Sequence, residues 1–119
     1  MRHFLYAVTS NDPAPVGDGD AVSWLCHYKF RNDDEVYIPM PPALEEIQPG
    51  DGLWFSTNDE LQGLAIVLRV EDDAINNRKE IWFAGWKIRF VTTTHETHLK
   101  TAVIEQGKAD RWMQLLEAP

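Results

Sequence analysis

Short runs in which side chains alternate every second residue constrain this chain most, because strand side chains point by turns to opposite faces of a sheet. In HFLYAVTS, Phe4, Tyr6 and Val8 alternate with Leu5, Ala7 and Thr9. GLWFST at 52–57 reads as a second strand. LAIVLRVE at 64–71 reads as a core strand with Leu64, Ile66, Leu68 and Val70 on one side. IWFAGWKIRFVT at 81–92 predicts a long strand, with Gly85 a bulge where the sheet bends. Trp86, Ile88 and Phe90 are expected to face inward there, leaving Lys87 and Arg89 outward.

Between these runs lie turn-forming stretches: NDPAPVGDGD at 11–20, RNDDEVYIPMPP at 31–42, NDELQG at 58–63 and EDDAINNRK at 71–79. ALEEI is expected to form one helical turn before the Pro49-Gly50-Asp51-Gly52 turn. Ala109, Trp112, Met113 and Leu116 recur at helical spacing and predict a closing helix. No repeat or linker divides the chain, so residues 1–119 form one expected domain. About five strands with one or two short helices point to the α+β class and a small, bent β-barrel.

The segment WLCHYKF, residues 24–30, sets the only cysteine beside a histidine. In a strand, Trp24, Cys26, Tyr28 and Phe30 share one face, and Ser23, Leu25, His27, Lys29 and Arg31 the other. A Cys26–His27 dyad or shared metal then needs a kink. Cys26 becomes a small apolar core residue, whereas His27 and Lys29 can reach one anionic or hydrogen-bonding ligand. A short helix opening at Asp20, with Ala21, Trp24, Leu25 and Tyr28 inward, is the rival to that strand.

Other chemistry is sparse. His95 and His98 in THETH are neighbours only on a helix, and VTTT argues for strand or loop. HExxH, a nucleophile elbow and a phosphate-cradling GxxxxGK[ST] are all absent. No catalytic constellation, cofactor or metal site is therefore expected. A lone cysteine excludes an internal disulfide and makes a reducing, cytoplasmic setting the expectation. No apolar run approaches the length of a membrane span, and MRHFLYAVTS is too short for a signal peptide.

The net charge of −8 argues against a protein that coats nucleic acid by electrostatics alone. The charge is uneven, however. Residues 1–77 hold 4 Lys/Arg against 14 Asp/Glu, whereas 78–100 hold 5 against 2. That locally basic stretch, with Arg78, Lys79, Lys87 and Arg89, suits a confined contact to a nucleic-acid backbone, or it neutralises acidic neighbours in the fold. Five tryptophans are many for 119 residues. Most must fill the core, yet one or two lining a pocket could stack a base, at about 1–3 kcal/mol each.

The order of motifs resembles a family. Phe4-Leu5-Tyr6-Ala7-Val8-Thr9-Ser10-Asn11-Asp12 is similar to the opening strand and Ser-x-Asp loop of EVE-domain proteins. Leu25-Cys26-His27-Tyr28-Lys29 resembles their Cys-His-Gly-Lys segment, with Tyr28 at the glycine position. Pro49-Gly50-Asp51-Gly52-Leu53-Trp54-Phe55-Ser56 resembles their Pro-Gly-Asp turn, hydrophobic pair, aromatic pair and serine. Arg69-Val70-Glu71-Asp72 matches a following hairpin in kind.

The resemblance implies a PUA-like fold: a mixed β-barrel of about five to six strands with short helices, related to YTH and ASCH domains. It also implies a pocket for a modified base in DNA or RNA. Pocket candidates carried over are Ser10, His27, Lys29 and Ser56, with Trp24 or Trp54 as stacking surfaces. The expected function is a non-enzymatic reader of one flipped or modified base, with nucleic acid as partner and no membrane. The other expectation is an acidic protein-interaction module, inhibitor or antitoxin-like, that binds a basic partner.

Overall fold

One long strand organises the molecule. In the computed structural model, which describes residues 1–8, 35–57, 60–92 and 99–117, β4 (Glu60–Asp73) pairs with three others. Its first half runs antiparallel to β3 (Gly52–Thr57), and its second half runs antiparallel to β5 (Arg78–Ala84). A 3₁₀ turn at Gly85–Lys87 interrupts the chain after β5. The strand then resumes as β6 (Arg89–Phe90), which pairs with β4 at Gly63 and Leu64. The long strand expected over 81–92 is thus two pieces, and Gly85 stands at the break.

The sheet extends to both sides of this centre. β1 (His3–Val8) lies parallel to β3, and β7 (Ala102–Ile104) lies antiparallel to β1. On the other side β2 (Glu35–Pro39) lies antiparallel to β5. The strand order is β2-β5-β4-β3-β1-β7, with β6 alongside β4. Among the described residues this is an open path ending at β2 and β7, not the closed barrel expected from the strand count. The fold is a sheet-rich α+β domain with one α-helix among the described residues, α1 (Gln106–Met113).

Both sides of the sheet are apolar, which is why β1 and β3 are buried along nearly their whole length. One side gathers Phe4, Tyr6, Leu53, Phe55, Val67, Ile81 and Phe83 with Val36 and Ile38 of β2. The other gathers Leu5, Trp54, Leu61, Leu64 and Leu99 under Trp112 of α1. Ala109 and Trp112 are wholly buried, as their spacing predicts, whereas Met113 is 37% exposed and Leu116 lies beyond the helix, bridging to Val91.

Two bulges shift the alternation within β4. The first falls between the Ser56–Leu61 and Phe55–Gly63 pairs, so that Leu61 and Leu64 both reach the helix side. The second falls between the Val67–Phe83 and Arg69–Trp82 pairs, so that Val67 and Val70 both face the opposite core. Each bulge inserts one unpaired residue and reverses the faces beyond it. The expected row of Leu64, Ile66, Leu68 and Val70 is accordingly divided. Leu64 is buried, Val70 belongs to the other core, and Ile66 and Leu68 are 37% and 38% exposed.

Two stretches expected as loops are strand. Glu35–Pro39 forms β2 because Val36 and Ile38 alternate inward, and its proline sits at the strand's end, where a missing N–H costs little. Glu60 to Gly63 belongs to β4, and Gly63 is required there: a Cβ would stand 2.5 Å from the Arg89 carbonyl oxygen of β6. The 3₁₀ turn Pro42–Leu44 replaces the helical turn expected over ALEEI. Gly50, with φ of +90°, supplies the left-handed residue of the turn before β3. Asp73 shapes the β4–β5 turn by accepting the Ile75 and Asn76 N–H groups, both at 3.2 Å. Among the described residues, no helix is long and apolar enough to cross a membrane.

Candidate functional site

The parallel pairing of β1 and β3 sets Ala7 opposite Ser56 and Val8 opposite Thr57. The chain consequently leaves both strands at one end of the sheet, and two of the motif-bearing segments meet there. Ser10, Trp24, His27 and Lys29 lie outside the described residues, as do Cys26, His95, His98 and the stretch 11–34.

Trp54 and Ser56 are placed, and both are buried, with 0% and 2% exposure. Trp54 offers no accessible stacking face: Trp112 packs edge-on against it at 5.3 Å between ring centres. The cause is that β3 is covered on both sides, so a tryptophan in its middle becomes core. The indole Nε1–H donates to His3 Nδ1 at 3.0 Å. His3 is 5% exposed, and burial holds its imidazolium below the ordinary histidine range; the nearby N-terminal amine acts the same way, against weaker opposition from Asp110 and Asp51. No sequence signal marked His3. Its space exists because Gly52 is opposite in register, where a Cβ would stand 2.7 Å from the ring nitrogen.

The four expected phosphate-contacting cations do not share a face. Arg78 and Lys79 are successive residues of β5 and point to opposite sides. Arg78 pairs with Asp73 at 3.4 Å. Lys79 lines a groove of about 270 Å³ with Glu45, Glu46 and Asp72. Lys87 is exposed beyond the other end of β5, on the order of 20 Å away. Half-buried Arg89 donates to the Glu117 carbonyl at 3.2 Å. Arg78 and Arg89 of the locally basic stretch therefore meet acceptors of their own chain.

A different aromatic group is formed on the face of β5 opposite Ile81 and Phe83. Tyr37, Trp82 and Arg69 lie in one cross-strand row over β2, β5 and β4. The Arg69 guanidinium stands 4.4 Å over the Trp82 ring, and Tyr37 packs against the same indole at 4.9 Å. Arg69 is clamped by Glu35 and Glu71, each at 2.6 Å. Those bonds, Glu35 first, raise its already high pKa. The Trp82 Nε1–H is buried and meets no acceptor among the described residues.

Among the described residues, no three His, Cys, Asp or Glu side chains converge to hold a metal ion. What the fold defines is a sheet-rich α+β domain whose described arginines are bound to its own carboxylates and carbonyls. Comparison of the chain with protein families, with curated proteins and with solved structures finds no match.

Proposed function

We propose that this domain is a non-enzymatic nucleic-acid-binding module, PUA-like in architecture, that takes one modified or flipped base of DNA or RNA into a pocket. The observation that carries this reading is the parallel β1–β3 pair. It sets Ala7 and Val8, the last described residues before Ser10, opposite Ser56 and Thr57, which supports the neighbourhood the resemblance to EVE-domain proteins asks for. His27, Lys29 and Trp24 complete the proposed pocket. Recognition would rest on stacking and on hydrogen bonds to the base edge, because Arg78 and Arg89 are engaged within the chain and the net charge is −8. Titration of the protein with a panel of modified and unmodified oligonucleotides tests it. Selective binding of one modified base supports the proposal, and equal, negligible binding to all at low salt removes it.

A second reading is favoured by the acids. Glu45, Glu46 and Asp72 line one groove around a single lysine, in a half of the chain that is strongly acidic. An acidic module of this kind would associate quickly with a basic protein. A pull-down recovering one basic partner, released at high salt, selects this reading over the first.

A further inference from the structure

Lys100 and Lys108 differ from the described arginines. Arg2, Arg69 and Arg78 are paired with carboxylates, and Arg89 and Arg111 donate to backbone carbonyls. Lys100 and Lys108 have no acidic partner among the described residues, and both line the same groove of about 450 Å³. Lys108 rests its ammonium 5.3 Å from the centre of the Trp112 ring, which orients it beside the groove. Leu5, Leu99 and Ile104 supply an apolar floor, and Glu105 is the one acid, leaving the groove at +1 in a chain of −8.

The groove runs along β7, which ends the strand order. β7 pairs with β1 along one edge. Its other edge makes no backbone hydrogen bond to a described residue, and Val103 is 47% exposed. A free strand edge offers main-chain donors and acceptors to an extended peptide, and adjacent pockets select its alternate side chains. The groove is open and so encloses a small molecule poorly, whereas a peptide laid along it gains main-chain bonds in addition.

We propose that this groove docks an extended acidic peptide segment of a partner protein, paired with the free edge of β7. Carboxylates of the peptide meet Lys100 and Lys108, and an apolar side chain between them rests on Leu5, Leu99 and Ile104. The site lies on a different strand from the proposed base pocket, so either can fail without the other.

The probe is a fluorescein-labelled heptapeptide, Ser-Glu-Ser-Val-Ser-Glu-Ser, which presents Glu, Val and Glu on one face when extended. Fluorescence polarisation is read with the intact chain, alongside the same peptide with lysine for glutamate and one with N-methylated backbone. Saturable binding of the acidic peptide is expected, weakened at least tenfold in the Lys100→Gln/Lys108→Gln variant and tightened several-fold in Glu105→Gln. The lysine and N-methylated peptides are expected not to bind. No binding of the acidic peptide, equal binding of the lysine peptide, or unchanged affinity in the folded double-lysine variant overturns the proposal. So does a concentration-dependent dimer that the double variant abolishes, because the groove would then belong to a second copy.

Discussion

Trp54 donates its indole N–H to Nδ1 of His3 at 3.0 Å, and both side chains are buried. Nδ1 can accept that bond only while it carries no proton. With its folded pKa below the unfolded value, His3 favours the folded state fully above the usual histidine range, near pH 6.5. That stability is lost as pH falls from there through the depressed folded value. In urea denaturation, the wild-type midpoint is therefore expected to drop faster between pH 7 and pH 5 than that of His3→Gln. Parallel pH profiles of the two proteins would contradict this.

Trp112 is the large side chain by which α1 closes the second core, and it is wholly buried against Trp54. Trp112→Ala is expected to cost about 3–5 kcal/mol, the range for emptying a large aromatic site. Chemical denaturation measures it. Trp112→Phe, which keeps most of the volume, should lose clearly less.

Two glycines differ in what an added methyl would strike. At Gly63 the obstacle is the Arg89 backbone oxygen, whereas at Gly52 it is mainly the movable His3 ring. Gly63→Ala is expected to destabilise by about 1–3 kcal/mol, as overpacking does, and to weaken hydrogen-exchange protection at Val91, whose N–H donates to the Gln62 carbonyl at 2.9 Å. Gly52→Ala should instead flatten the His3-dependent pH profile by displacing the imidazole.

If the domain reads a base, its affinity should depend weakly on salt. Each phosphate contact contributes a slope of about −0.7 to −0.9 in log K against log salt. With Arg78 and Arg89 engaged internally, a slope no steeper than about −2 is expected for the best oligonucleotide. A slope near −4 would mean that these cations leave their partners and bind the backbone.

Alternation alone located β1, β3, much of β4 and the closing helix, because their apolar residues recur at the periods of strand and helix. It failed where one inserted residue shifts the phase: Leu68 and Val70 look like core partners of Leu64 until the register with β5 is known. β2 was hidden by its prolines and by the acidic run before it, although Val36 and Ile38 carry the pattern. The site was less legible. Trp54 stands in a motif and is nevertheless core, since only tertiary packing determines that β3 is covered on both sides. Trp82, which meets Arg69 and Tyr37 instead, owes its setting to cross-strand register, which no single segment encodes.

The pairing of β1 with β7 joins His3 to Ile104, a partner made about a hundred residues later. At roughly 5–20 residues per second, a ribosome needs about 5–20 s to deliver that partner and the helix behind it. During this interval β1 has emerged with two apolar faces and neither core complete. A nascent chain of this design must be shielded while it waits, and completes its fold only after nearly the whole domain has been synthesised.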